Sequence, residues 1–265
     1  MSILRSTSTG KYDIEHRMSM LGMDPSKAVM RADGTIDYDG DLTIGAANAD
    51  TSTIATTSSM SSTARLTEMP FVFHEVNGCF DCSNNSLTTL RGAPVIVHGY
   101  FKCSFNRLTS LEGGPLVVDK EYIAYHNKIS SLKGAPIVVH NTFDVSWNML
   151  TTLDGGPLRV VRNDGNNIPY YIDNRSGIAY YYNFGMNVQH NYLAGLMHAP
   201  CFIDGDFDCS HNEIASLEGV SKCVTGSLYL SNQHINNGWS EYASWQTDAN
   251  KYLVEHKVKL NRIFF

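Results

Sequence analysis

Apolar and polar positions along the chain recur with a fixed period of 21 residues. The clearest copies are Phe80–Pro94 (FDCSNNSLTTLRGAP), Phe101–Pro115 (FKCSFNRLTSLEGGP) and Phe143–Pro157 (FDVSWNMLTTLDGGP). A weaker copy, IAYHNKISSLKGAP, ends at Pro136. Each copy alternates apolar and polar residues at its start and then spaces leucine or isoleucine three residues apart. We call one such copy a rung.

The first residues of each rung predict a short β-strand. Successive strand side chains point to opposite faces, so Phe80 and Cys82 are expected to point inward and Asp81 outward. Strands of neighbouring rungs then pair as a parallel sheet about 4.8 Å apart. The following Gly-Ala-Pro or Gly-Gly-Pro segment turns the chain, because proline fixes φ and glycine permits a tight corner. The Val-Ile-Val or Ile-Val-Val stretch after it predicts a second short edge that faces inward.

Leucines and an asparagine recurring at a period of about 20–29 residues are typical of leucine-rich-repeat solenoids. We therefore predict a repeat solenoid: a mostly β leucine-rich-repeat stack with a parallel sheet, about nine rungs, a small N-terminal helical cap and a C-terminal helix. Solenoids need such terminal caps, because the first and last rungs would otherwise expose their core.

One asparagine of each rung is expected to be structural. A buried asparagine both donates and accepts hydrogen bonds, so it can satisfy backbone groups left over in the turn between rungs. Stacked at the repeat spacing, these side chains should form a hydrogen-bonded ladder, and Asn127→Ala should cost a few kcal/mol. The ladder positions are Asn85, Asn106, Asn127, Asn148, Asn191 and Asn212.

The pattern divides the chain into three parts. Residues 1–31 are predicted to form the helical cap, with Ile14, Met18 and Leu21 on one apolar helix face. Residues 32–235 are assigned to the solenoid, which begins with a strand-like alternation over 32–44. Within it, 45–65 is a Ser/Thr/Ala-rich insertion interpreted as a long loop in the first rung. The tyrosine-rich stretch 158–186 is either a degenerate rung or a rung that carries an excursion.

Residues 236–265 leave the repeat and are predicted to form a C-terminal helix and a basic, aromatic tail. Ser240 is expected to cap this helix. Its apolar face, which should pack on the last rung, carries Tyr242, Trp245, Ala249, Tyr252, Leu253 and His256.

The motifs LTTLRGAPVIV and LTSLEGGPLVV, together with the strand FDCSNN, resemble the short leucine-rich repeats of proteins encoded by tailed bacteriophages. The lead-in DGTIDYDGDLTI, followed by LTEMPFVFHEVNG, is similar to the same family. The resemblance covers residues 30–235 and implies the fold, but it says little about function. The Ser/Thr-rich insertion and the tyrosine-rich stretch depart from the pattern.

Composition and charge narrow the function classes. The net charge is −6 and charged residues make up only 17% of the chain, which argues against a nucleic-acid partner. No apolar run approaches the roughly 18 residues that a membrane span requires. The start MSILRSTSTG lacks the apolar region of a signal peptide, so we do not expect secretion by that route. The resemblance to phage proteins implies a virion or the bacterial host cytoplasm as the location.

The chain has six cysteines, and they are expected to be free thiols. Cys82, Cys103 and Cys209 hold the same rung position and should be small core residues. Cys79-x-x-Cys82 has the spacing of a redox or metal motif, but its second member is a core position and no second such pair follows.

No catalytic motif is apparent: the sequence lacks a Ser-His-Asp signature, a P-loop, GxGxxG and HExxH. We therefore predict a non-enzymatic protein without cofactor. The acidic run around Gly40 lacks ligands at both ends of a calcium loop. His190 and His211 could share a metal with Asp208, yet a stripe of rings at the surface is the better interpretation.

The residues directly before the ladder asparagines are the main candidate recognition surface. Their side chains should face solvent, and exposed aromatic groups commonly anchor interfaces; the alternative is that the rings only shield the sheet. This column consists of Phe105, His126, Trp147, His190 and His211, with Tyr125 and Tyr229 beside it. The competing candidate is the tail Lys257–Phe265, including Ile263, because its terminal Phe264 and Phe265 are expected to have no rung to bury them. Deleting 257–265 is expected to abolish attachment to a partner while the solenoid still folds.

Two functions follow from these features. The first is a virion structural or decoration component that acts by protein–protein contact, with flexible segments that become ordered on assembly. The second is an early phage protein that binds and inhibits a host or defence factor.

Overall fold

The computed structural model describes residues 8–45, 65–162, 170–172, 179–181, 184–233 and 239–265. Residues 46–64 of the Ser/Thr-rich insertion (45–65) and most of the tyrosine-rich stretch lie outside these residues. The loop predicted for the insertion is therefore not addressed by the structure.

The chain contains short strands with a helix near each end. The helices are α1 (Ser8–Met20) and α2 (Trp239–Glu255), with a 3-10 turn at Pro25–Lys27. The strands of the first half are β1 (Ala28–Met30), β2 (Ile36–Tyr38), β3 (Leu42–Thr43), β4 (Phe73–Val76), β5 (Phe80–Asp81), β6 (Ile96–Val97), β7 (Phe101–Lys102), β8 (Val117–Val118), β9 (Tyr122–Ile123) and β10 (Val138–His140). Those of the second half are β11 (Thr142–Asp144), β12 (Arg159–Val161), β13 (Tyr170–Ile172), β14 (Ala179–Tyr181), β15 (Gly185–Asn187), β16 (Phe202–Ile203), β17 (Asp206–Asp208), β18 (Ser227–Tyr229) and β19 (Arg262–Phe264).

The fold consists mostly of parallel β-sheets. The largest has nine strands in the order β19-β18-β17-β15-β11-β9-β7-β5-β3, and all of its pairs are parallel. A five-stranded sheet (β1-β2-β4-β6-β8) and a three-stranded sheet (β10-β12-β16) are formed by the second edge of the rungs. Among the described strands, β1 with β2 and β13 with β14 pair antiparallel.

Residues one repeat apart are direct neighbours in the large sheet. Phe80 pairs with Phe101 and Phe101 with Tyr122, so the same rung position stacks from strand to strand. The predicted alternation is confirmed, because Phe80 and Cys82 are fully buried while Asp81 is half-buried. The core is a continuous row of inward-facing rings and aliphatic side chains that runs through successive rungs.

The second edge differs from the prediction that its whole Val-Ile-Val stretch faces inward. Only the third residue of each stretch is buried, as at Val97, Val118 and Val139. The first residue remains exposed, with Leu116 at 61% and Ile137 at 68%. In the rungs of Leu116 and Ile137 the first two side chains are exposed, so the chain reaches the core only at the third position.

The asparagine ladder runs through the backbone rather than from one asparagine to the next. Asn148 accepts from the Ile129 amide at 2.9 Å and donates to the carbonyls of Ala124 and Val145 at 3.1 and 3.0 Å. The same Ala124 carbonyl also accepts from Asn127, at 3.2 Å. Successive ladder side chains therefore share backbone carbonyls, which ties neighbouring rungs together.

Every predicted ladder asparagine makes this set of contacts. The five apart from Asn127 are buried, whereas Asn127 is half-buried. The ladder continues one rung further than expected, because Gln233 accepts from the Ile214 amide at 3.0 Å and donates to the Cys209 carbonyl at 2.9 Å.

The strand pairing at the irregular stretch favours a rung that carries an excursion over a degenerate rung. β12 pairs with β10 and β16, and β15 pairs with β11 and β17, so both edges of this rung are in place. The antiparallel pair of β13 and β14 lies in the chain between them.

The N-terminal helix packs as expected, with Met18 2% exposed and Ile14 and Leu21 partly buried against the core. The C-terminal helix also packs on the core, through Trp245 and other apolar residues of its predicted face. The prediction that Ser240 caps this helix is wrong, because α2 already includes Trp239.

The tail is the largest correction to the sequence-based expectation. It returns to the large sheet as β19, parallel to β18, and forms the last strand of that sheet. Ile263 and Phe265 pack against the core, while Phe264 stacks on Tyr229 with 4.8 Å between ring centroids. The terminal phenylalanines therefore do have a rung to cover them, and the tail closes the end of the core.

All six cysteines are free thiols, as predicted. Cys82, Cys103 and Cys209 are fully buried. Burial raises the pKa of the Cys82 thiol well above its usual value, which makes it a core residue rather than a nucleophile.

Candidate functional site

The five predicted surface rings lie at one corner of the rungs, directly after the strands of the large sheet. We call Phe105, His126, Trp147, His190 and His211 the ring column. Each has a left-handed backbone conformation, with φ between 53° and 54°. This conformation lets the preceding strand side chain and the following asparagine both face inward, and it directs the ring outward. Each column amide donates to a carbonyl of the next rung, as from Trp147 to Gln189 at 3.0 Å.

The rings stack face to face along the column. Centroid separations are 4.7 Å for Phe105–His126, 5.1 Å for His126–Trp147, 3.7 Å for Trp147–His190 and 4.1 Å for His190–His211. Neighbouring ring planes are within 19° of parallel. The ring faces therefore cover each other, and the edges form the surface that a partner would meet. Phe105 and Trp147 are each 46% exposed.

The left-handed backbone conformation of the ring column is energetically unfavourable for bulky side chains. Left-handed φ costs a non-glycine residue roughly 1 kcal/mol; asparagine, aspartate and histidine adopt it most readily, whereas phenylalanine and tryptophan do not. Asparagine does hold this position at both ends, as Asn84 with φ 60° and Asn232 with φ 54°. Aromatic rings in the five rungs between them are thus not required by the turn. Backbone strain of this kind is concentrated at functional sites.

The turn before three of the five rings, Trp147, His190 and His211, is fixed by an acidic or amide side chain of the preceding strand. Asp144 accepts from the Ser146 amide at 2.9 Å and from the Ser146 hydroxyl at 2.7 Å, which orients the turn into Trp147. Asn187 does the same for Gln189 at 3.1 Å. Asp144 points away from the core, but it is still buried, with only 7% of its surface exposed. Burial raises its pKa to about 6, and the nearby Asp208 charge adds to this shift.

Replacing Asp144 with asparagine is expected to stabilise the protein at pH 8. The folded-state pKa lies above the ordinary value near 3.8, so the folded protein binds this proton more tightly than the unfolded chain. The group therefore lowers stability progressively as pH rises from about 4 to about 6. Asparagine already serves at the equivalent Asn187, so the turn should be preserved. Urea unfolding should show a gain of roughly 1–3 kcal/mol at pH 8 that shrinks towards pH 4.

An equal or lower stability of Asp144→Asn at pH 8 would show that the carboxylate is held by compensating interactions and is not penalised by burial. The half-buried Asp81 fixes the turn to Ser83 in the same way, at 2.9 Å, so Asp81→Asn serves as the matched control. It should show little of this gain.

An open groove of about 380 Å³ lies at the Phe105 end of the column. Two guanidinium groups, those of Arg65 and Arg107, contribute to its wall, and no carboxylate does. Ring edges carry partial positive charge, and imidazoles and amides add hydrogen-bond donors. The groove is therefore suited to an acceptor-rich or acidic segment. Its lining consists of Arg65, Asn84, Asn85, Phe105, Asn106, Arg107, His126, Asn127 and Trp147.

The other predicted surface residues fall into two places. Tyr125 joins the column, because its ring lies edge-on to Phe105 with 5.3 Å between centroids. Tyr229 lies away from the column, in the stack with Phe264 at the end of the sheet. The structure thus separates the two candidate surfaces: the ring column is on the side of the rungs, whereas the tail belongs to the terminal cap.

A charged network on the outer face of the five-stranded sheet was not anticipated from the sequence. Asp37 contacts His74 at 3.0 Å, and His98 bridges Glu75 at 2.8 Å and Asp119 at 2.7 Å. Hydrogen bonds to Asp119 and then Glu75 raise the pKa of His98. The spacing of His98 and Asp119 by one repeat was the available signal, since it makes them neighbours on adjacent strands.

Three of these side chains, Asp37, His74 and Glu75, offer ligand atoms within 4.8 Å of one another and could hold a metal ion. Arg31 and His98 already neutralise their carboxylates, which gives the cluster a purely structural explanation. Among the described residues, Asp37, His74 and Glu75 are the group of three potential metal ligands that lie this close together. His190, His211 and Asp208 do not form such a group.

No protein-family model matches the chain, and neither a curated protein nor a solved structure matches it significantly. None of the helices in the described parts of the chain is long and apolar enough to cross a membrane.

Proposed function

We propose that this protein is a leucine-rich-repeat solenoid that acts without catalysis, binding another protein through the ring column. The observation that carries this proposal is the column itself: five half-exposed or exposed stacked rings at strained backbone positions where asparagine would suffice. The period of 21 residues and the parallel pairing of equivalent strands support the solenoid.

The chemistry of the column favours protein recognition over catalysis. Its titratable groups are imidazoles stacked on rings, and no nucleophile with an adjacent base lies among the residues that line the groove. Burial lowers the pKa of His126, which favours the neutral imidazole at physiological pH. Arg65 and Arg107 at one end of an otherwise aromatic strip provide the combination of ring and guanidinium that is enriched at interface hot spots.

As to biological context, we propose a structural or decoration component of a phage virion. The repeat motifs resemble those of tailed-phage proteins. Because the ring column crosses several rungs, a neighbouring virion protein could contact the chain along its length. The alternative is an early protein that binds and inhibits a host factor. Mass spectrometry of purified particles discriminates between them: the virion component is present in stoichiometric amounts, and the inhibitor is found only in infected cells.

Trp147→Asn separates recognition from stability at the centre of the column. Asparagine occurs at this position in two other rungs, so the left-handed turn should be retained and the melting temperature should change little. Loss of the tryptophan should weaken partner binding by roughly 2 kcal/mol or more, about 30-fold. Met149→Asn is the matched control, because Met149 is 49% exposed two residues away and belongs to no ring stack. If the rings only shield the sheet, Trp147→Asn will instead lower the melting temperature and leave binding intact.

A further inference from the structure

The exposed residues of the second edge form an aliphatic stripe on the opposite side of the rungs from the large sheet. The first two residues of this edge are apolar in four consecutive rungs, apart from Arg159 in the last. The stripe consists of Val95 (39% exposed), Leu116 (61%), Val117 (44%), Ile137 (68%), Val138 (37%) and Leu158 (62%).

One end of the stripe is charged, because the equivalent positions in the rung before it are His74 and Glu75. At the other end Arg159 follows Leu158, and the next rung has the exposed Cys201 and the half-buried Phe202 at these positions. A contiguous row of exposed apolar side chains across four rungs is typical of an interaction surface rather than of a free solvent face.

A row of alternating charges borders the stripe at the corner turn that precedes it. These residues are Arg91, Glu112, Lys133 and Asp154, one per rung, and all four are exposed. Lys133 and Glu112 contact each other at 2.8 Å, which shows that consecutive members of the row lie side by side. The row reads plus, minus, plus, minus along the chain and minus, plus, minus, plus in reverse.

This reversal makes the surface complementary to itself. A two-fold axis parallel to the strands, placed between the rungs of Leu116 and Ile137, brings a second copy onto the stripe with its rungs in the opposite order. Each cation of the row then faces an anion of the other copy, and Leu116 faces Ile137. Two-fold dimers require such a self-complementary patch, and like charges brought together would oppose association.

We propose that the protein forms a two-fold homodimer through this aliphatic stripe and its charge row. The rungs of the two copies run antiparallel, with Arg91 opposite Asp154 and Glu112 opposite Lys133. The ring column lies on another side of the rungs and remains accessible, so the dimer would present two copies of the proposed recognition surface. The dimer does not depend on the proposed function of that surface.

Sedimentation of the purified full chain over a concentration series tests the proposal. The parent is expected to approach twice the chain mass of 29.4 kDa. Ile137→Glu should shift it to monomer. Val254→Glu is the matched control, because Val254 is 78% exposed on α2 and lies off the stripe, and this variant should dimerise like the parent. A parent that stays monomeric, or an Ile137→Glu variant that still dimerises, overturns the proposal.

Two charge reversals test the antiparallel register. Glu112→Lys places two lysines opposite two lysines in its own dimer, and Lys133→Glu does the same with glutamates, so each should dimerise at least about tenfold more weakly than the parent. Mixing the two variants should restore dimerisation to the parent level, because every facing pair in the mixed dimer is again of opposite sign. The contact within each chain is not repaired by mixing, so only the intermolecular arrangement explains rescue. A mixture that associates no better than its components overturns the register.

Discussion

Asn148→Ala is expected to lower the free energy of unfolding by roughly 3 kcal/mol. The side chain is 6% exposed, and it is the hydrogen-bond acceptor for the Ile129 amide in the preceding rung. Alanine leaves that buried amide without a partner and removes the donor shared between the Ala124 and Val145 carbonyls. Urea unfolding monitored by circular dichroism measures the loss.

Asn127 provides a graded comparison. It makes the equivalent contacts, to Leu108 at 3.1 Å and Cys103 at 3.0 Å, but it is half-buried, so water can replace part of what alanine removes. Asn127→Ala should cost roughly half as much as Asn148→Ala. Equal stability of parent and Asn148→Ala would show that the ladder bonds contribute nothing net to folding.

Deleting residues 257–265 is expected to destabilise the fold by roughly 4–6 kcal/mol, contrary to the expectation of a dispensable tail. The deletion removes β19 from the edge of the large sheet and, with it, the partly buried Val258, Leu260, Ile263 and Phe265. Each contributes about 1–1.5 kcal/mol through burial of apolar surface. It also exposes the last rung, which in the proposed solenoid would promote aggregation.

Thermal unfolding and light scattering of the truncated chain measure both effects. Phe264→Ala is the control: this ring is 39% exposed and faces away from the core, so its loss should cost far less than the deletion. A truncated chain that melts at the parent temperature and stays monodisperse would restore the tail as a free attachment segment.

The repeat made the stacking of strands predictable from the sequence, because a fixed period forces equivalent residues such as Phe80 and Phe101 into neighbouring strands. The tail was not predictable in this way. KVKLNRIFF lies outside the period, and its place in the sheet depends on long-range pairing with Ser227–Tyr229 rather than on local pattern. For the second edge, the buried third residue of each stretch was predicted and the exposed first residue was not. Hydrophobicity alone cannot show that Leu116 and Ile137 point away from the core.

The residues of the ring column could be predicted from the sequence, but their backbone conformation and stacking could not. Counting back one residue from each ladder asparagine other than Asn85 identified the ring column. The left-handed backbone and the face-to-face stacking leave the ring edges as the exposed surface. Both depend on the turn geometry of each rung. The one-repeat spacing of His98 and Asp119 was the available signal for the His98 network, but Glu75 lies 23 residues from His98, off the repeat, so its place in the network depends on the folded sheet.

The most direct test of the proposed recognition surface compares three immobilised proteins: the parent, Trp147→Asn and Met149→Asn. Each is incubated with extracts of the cells that naturally produce the chain and, separately, with the particles that those cells release, and retained proteins are quantified by mass spectrometry. If the ring column is the recognition surface, at least one protein is retained by the parent and by Met149→Asn and is depleted at least about tenfold on Trp147→Asn. Equal retention of every captured protein on all three surfaces would contradict a recognition role for the ring column.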